Sequence, residues 1–136
     1  MSHIQTDKLN LINYSIKVVK TLLLEYQEYF PCATIIDLSG EIVPVNYFEG
    51  DERPLSADLI AKYHEILDNQ IAKKEIRAYC IAYDVTAKRN AESEKTDAIA
   101  IKIKHAETEE IVIYFYAYKL TEENRLVMGD SWGEIQ

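Results

Sequence analysis

Asp84, Asp97 and His105 are the side chains in this sequence whose types and spacing could support acid–base or metal chemistry. Asp84 and Asp97 bracket the polar stretch Ala87–Lys95, so a hairpin over that stretch would bring the two carboxylates together. His105 falls in the same alternation as Ile99, Ile101 and Ile103, which places it at the rim of the core. Paired carboxylates near an imidazole can relay a proton or hold a cation. The same residues at strand ends also satisfy turn backbone, and this plainer reading carries more weight. His64 reads as a surface residue of a helix.

The rest of the chain is poor in chemical motifs. It has no GxGxxG, GxxxxGK[ST], HExxH, GxSxG or EF-hand pattern, and its 4 glycines are too few for a glycine-rich phosphate cradle. Cys32 and Cys80 stand apart, with no CxxC and no clustered histidine, and read as small buried hydrophobes. The expectation is a chain without a catalytic site, metal site or cofactor. With 15 Lys and Arg against 23 Asp and Glu, the formal charge of −8 disfavours nucleic acid as a partner and favours solubility. Met1–Asn10 lacks a signal-peptide core and no segment reaches the length of a membrane span, so a cytoplasmic protein is expected.

The elements that must position these residues follow from hydrophobic period. At 136 residues, 48% apolar and 28% charged, the chain reads as one globular domain spanning 1–136. Apolar residues at Leu9, Ile12, Ile16, Val19, Leu23, Tyr26 and Phe30 predict a long amphipathic helix over about 6–30, stopped by Pro31. Leu11, Val18 and Leu22 widen its stripe beyond a coiled-coil seam, which favours packing on the protein's own sheet.

Ala33–Leu38 and Glu41–Val45, joined by Ser39-Gly40, predict a hairpin, with Pro44 confining its second strand to a sheet edge. Asn46–Leu55 reads as a loop. Ser56 is a credible N-cap for a second helix whose inward stripe is Leu59, Tyr63, Ile66, Leu67 and Ile71. The period then changes to two through Glu75–Thr86, Asp97–His105 and Glu110–Lys119, which predicts three meandering strands. The tail from about 120 to 136, with Trp132 as its bulky anchor, either docks on an edge strand or stays free.

The expected fold class is therefore α+β: a five-stranded antiparallel sheet in the order α-β-β-α-β-β-β, with both helices on one face. Profilin-like and roadblock-like domains share this order of elements, an analogy of architecture alone.

Alternation assigns Ala78, Cys80 and Ala82 to a face with a helix lying close, together with Ile99, Ile101 and Ile103 and with Ile111, Ile113 and Phe115. On that assignment the opposite face gathers Arg77, Tyr79, Tyr83, Lys102, Lys104, Tyr114, Tyr116 and Tyr118 into one aromatic and basic surface. Tyrosines offer large apolar area at small rotamer cost, so this face suits recognition. An ordinary solvated sheet, with lysine stems laid over tyrosine rings, is the plainer alternative. The functional expectation is a non-enzymatic interaction domain, a homodimer or the binder of a protein partner. A single-stranded nucleic-acid or small-ligand module, or a toxin-immunity type of inhibitor using the acidic surface, is the alternative.

Glu94-Lys95-Thr96-Asp97-Ala98-Ile99-Ala100-Ile101, then Lys104-His105 and Ile113-Tyr114-Phe115-Tyr116-Ala117-Tyr118, resembles a group of small bacterial proteins. In that group a KTDAI strand, an EH-type turn and a second strand form a hairpin, preceded by a helix end similar to Tyr29-Phe30-Pro31-Cys32. Here Lys104 stands where the group has an acidic residue, and Ala117 where it has proline. The resemblance implies a bacterial, cytosolic placement and no activity.

Overall fold

The computed structural model describes residues 3–45, 56–88, 90–92 and 94–136; the predicted loop over 46–55 lies outside them. Two helices, α1 (Ile4–Tyr26) and α2 (Ser56–Ala72), accompany six strands: β1 (Cys32–Asp37), β2 (Ile42–Val45), β3 (Ile76–Ala87), β4 (Thr96–His105), β5 (Ile111–Leu120) and β6 (Leu126–Ile135). All neighbours are antiparallel, in the sheet order β2-β1-β3-β4-β5-β6. The α+β class holds, but the sheet has six strands rather than five, because the tail supplies β6.

α1 ends earlier than the predicted Phe30. Gln27 takes the left-handed conformation at φ 62° and closes the helix through its N–H to the Leu23 carbonyl at 2.8 Å. The buried stripe is also rotated from the predicted one: Asp7, Lys8, Leu11, Ile12, Ser15, Val19 and Leu23 face inward, while Leu9 and Tyr26 are exposed. Three polar residues in the stripe hid its true phase.

The β1–β2 hairpin forms as expected. Asp37 Oδ1 accepts the Ser39 and Glu41 N–H groups at 3.0 and 2.9 Å, and Gly40 supplies the φ of +94° that the turn demands. Pro44 sits in β2 at the sheet edge, where its missing N–H costs no ladder bond.

The helices lie on opposite faces, not on one. α1 packs Leu11, Val19 and Leu23 against Ala78, Cys80 and Ala82 of β3, Ile99, Ile101 and Ile103 of β4 and Tyr118 of β5. α2 packs Leu59, Tyr63 and Leu67 against Ala33, Ile76, Tyr79 and Ile81. The cause is visible in β3, where both alternating sets are apolar and Ala78–Ala82 is buried throughout. A central strand of that kind needs cover on both sides.

Candidate interaction surface

Strand register decides which of the predicted face residues meet. In the β3–β4 ladder Tyr79 pairs with Lys104 and Ile81 with Lys102, so Tyr79, Tyr83, Lys102 and Lys104 share the α2 side. In the β4–β5 ladder Lys102 pairs with Ile113 and Ala100 with Phe115, while Ile101 pairs with Tyr114 and Ile99 with Tyr116. The structure therefore puts Ile111, Ile113 and Phe115 with the lysines, and Tyr114, Tyr116 and Tyr118 on the α1 side. The expected eight-residue surface is split between two faces. A shift of one residue in the assumed register exchanges every side chain of β5, and this is the source of the error.

Arg77 leaves the group for a different reason. Ile36 pairs with Ala78 but Asp37 pairs with Ile76, so β3 carries Arg77 as the extra residue of a bulge. Its guanidinium turns to the α1 side and grips Asp7 in two places, Nε to Oδ2 at 2.8 Å and Nη2 to Oδ1 at 2.7 Å. His105 completes the cluster. Its Nδ1 accepts the Glu107 N–H at 3.1 Å, which leaves the ring proton on Nε2 to be donated to Asp7 Oδ2 at 2.7 Å. Burial alone would raise the Asp7 carboxyl, but the Arg77 and His105 bonds outweigh it and hold the group below its ordinary value. His105 and Asp7 are both almost wholly buried, so the cluster ties α1 to β3 and β4 rather than presenting groups to a substrate.

The other acid–base candidates lie far from His105, at the opposite end of β4. Thr86 pairs with Asp97 and Asp84 with Ile99, which sets the two carboxylates diagonally on the α1 side. Burial raises the Asp84 carboxyl above its ordinary value, the Tyr118 hydroxyl donated to it at 2.7 Å pulls the other way, and the charge of Asp97 adds to the rise. The Tyr29 hydroxyl is buried near Asp84 and Tyr118 without a hydrogen-bond partner among the described residues. The predicted Asp84–Asp97 approach is present. The three-residue constellation is not.

On the α2 side, Tyr79 donates its hydroxyl to Asp68 at 2.5 Å, with His64 Nδ1 at 3.3 Å from that hydroxyl and Lys104 Nζ at 3.6 Å from Asp68. Burial pushes the Tyr79 hydroxyl upward and the Asp68 bond adds to it; burial lowers His64. Tyr79, expected on an open face, is 1% exposed beneath α2. Leu59, Tyr63 and Leu67 are buried between α2 and the sheet, packed with Ala33, Ile76, Tyr79 and Ile81. Cys80 is fully buried, and its thiol is pushed up to about 11 by burial; burial also raises Cys32.

What stays open is the other half of the α2 side. α2 rests on β1 and β3 and reaches Lys104 of β4 through Asp68, while its packing cluster among the described residues includes no residue of β5 or β6. That side carries Lys102 of β4, half-buried Phe115 and exposed Lys119 of β5, and half-buried Trp132 and exposed Glu134 of β6, with Ile113 buried among them. Phe115 and Trp132 stack with ring centroids 5.4 Å apart and an interplanar angle of 19°. Phe115 was assigned to the helix-covered face and Trp132 to a tail that either docks on an edge strand or stays free; the tail docks on β5, and the stack of the two rings was not foreseen.

Among the described residues no group of three or more His, Cys, Asp or Glu side chains converges as a metal site, and no helix is long and apolar enough to cross a membrane. Comparison with protein-family models, with curated proteins and with solved structures found no significant match for this chain.

Proposed function

We propose that the protein is a non-enzymatic interaction domain that binds a protein partner through the uncovered half of its sheet, over β4, β5 and β6 on the α2 side. One observation carries this reading: the half-buried Phe115–Trp132 stack, with Lys102 nearby, lies on the part of the sheet beyond the residues that α2 packs against. An apolar and aromatic centre with a charged rim is the composition of recognition surfaces. The rim is charged through Lys102 and Lys119 together with Glu134, which pairs with Ile113 on the same side. The polar clusters around Asp7, Asp68 and Asp84 are structural ties that keep the sheet rigid beneath the contact residues.

The test is differential capture from native-host extract, comparing the wild-type chain with Phe115→Ser plus Lys102→Glu. A protein held by the wild type and released by the variant supports the reading. Binders that the variant retains, or the lack of any specific binder, overturn it. A labelled single-stranded oligonucleotide followed by fluorescence anisotropy at two salt concentrations decides between classes, because tight binding that weakens as salt rises would transfer the same face to nucleic acid.

A further inference from the structure

The two edges of the sheet differ. β2 is four residues long and carries Pro44, whereas β6 is ten residues long and contains neither proline nor lysine. Short strands, proline and lysine are the usual means of keeping an edge from pairing with another chain, and β6 uses none of them. Its one irregularity is a bulge, with Tyr116 paired to Ser131 and Tyr118 to Met128, so that Ala117 faces both Gly129 and Asp130. Beyond the bulge, Ser131–Ile135 is regular.

Which backbone groups of that segment point outward follows from its ladder. Gln136 donates its N–H to the Ile111 carbonyl at 2.8 Å, and Val112 pairs with Ile135, Ile113 with Glu134, Tyr114 with Gly133 and Phe115 with Trp132. Residues 136, 134 and 132 therefore bond toward β5. Ser131, Gly133 and Ile135 turn their N–H and C=O groups away from the sheet.

We propose that this edge pairs with the same edge of a second copy of the chain, antiparallel about a two-fold axis at Gly133. Ser131 then opposes the second copy's Ile135, Gly133 opposes its counterpart, and every outward backbone group from Ser131 to Ile135 gains a partner. The charges agree with self-pairing. Glu134 falls opposite the second copy's Trp132 and Asp130 opposite its Gln136, so no like charges meet across the seam. Centring the axis on Ser131 would run the pairing into the bulge.

The side chains agree as well. A Cβ at Gly133 would come within 3.2 Å of the Tyr114 ring, so that ring already lies over the glycine at the axis. Ile135, 70% exposed in the single chain, would be covered. This goes beyond the open-face reading by naming a second copy as partner at the β6 edge, which borders that face at Trp132.

Sedimentation equilibrium on the full chain, wild type against Ser131→Pro, is the first test. Proline at an edge position whose N–H faces solvent leaves the sheet's own ladder intact and removes an intermolecular donor. A wild-type dimer weakened at least about tenfold by the substitution is expected, the equivalent of about 1.4 kcal/mol. A wild-type monomer, or a dimer that the substitution leaves unchanged, overturns the proposal.

The register has its own test. Paired positions in this type of ladder have Cα atoms about 5.5 Å apart, within disulfide reach. The double variant Ser131→Cys plus Ile135→Cys should cross-link to a dimer on mild oxidation, while either single change should not. Equal cross-linking of the singles, or none in the double, overturns the two-fold at Gly133. Failure here leaves the open-face reading standing, since Phe115→Ser plus Lys102→Glu tests that one separately.

Discussion

Asp7 does more for this fold than its position near the chain start would suggest. It accepts two bonds from Arg77 and one from His105, and its side chain is 2% exposed against 30% for Arg77. Removing one partner of a fully buried pair costs about 3–5 kcal/mol, and the partial exposure of Arg77 lets water recover some of that. Asp7→Asn should therefore lower the unfolding free energy by about 2–3 kcal/mol, read from urea denaturation. The pH dependence has a definite sign. Because the folded carboxyl is held below its ordinary value of 3.8, its contribution is complete above that value and is lost as pH falls through the folded one. The acid limb of a stability–pH profile should be shallower in Asp7→Asn than in the wild type; an identical limb would remove Asp7 from the account.

At the scale of elements, the distance between α1 and the sheet is set by small residues. Ala78, Cys80 and Ala82 are each 0% exposed directly beneath Leu11, Val19 and Leu23. A larger side chain there has no void to enter, because interiors are packed to crystal-like density. Ala82→Leu should destabilise by about 1–3 kcal/mol, with helix content and tertiary signal lost in one transition. A stability equal to wild type would mean that α1 sits farther from β3 than its packing indicates. This feature was legible in the alternation of β3. The side occupied by α2 was misread: both helices were expected on one face and Tyr79 on an open one, whereas Tyr79 and Ile81 form a second apolar set of the same strand that α2 covers.

For the molecule as a whole, the sheet order makes β3 and β4 central and leaves β2 and β6 as edges. Amides of β3 and β4 are sandwiched between ladders and core, so their exchange should follow global unfolding. Those of Ile42–Val45 in β2 should exchange through smaller openings and faster. Native-state hydrogen exchange resolved by NMR checks this, and β4 amides exchanging as fast as those of β2 would contradict the order. The tail joins this layer through the turn at Thr121, where the Thr121 N–H reaches the Arg125 carbonyl at 2.9 Å and the Asn124 amide reaches the Leu24 carbonyl at 2.9 Å. Asn124, at φ 59°, marks that turn as asparagine often does. The β6 pattern behind it was hidden by the bulge at Gly129–Asp130, which breaks the two-residue period between Met128 and Trp132.

Period and composition on their own determined the two helices, the β1–β2 hairpin with Pro44 at an edge, and the bounds of β3, β4 and β5 to within a residue or so, because these depend on local backbone preference and on which side chains avoid water. Only the tertiary structure decided the sixth strand, the opposite placement of the helices and the division of the tyrosines between two faces. Those depend on pairing between residues distant in the chain, where a shift of one position in β5 reverses inside and outside. The polar side chains hidden in α1 belong to the same class: Asp7 could be buried only because Arg77 and His105, 70 and 98 residues away, arrive to meet it.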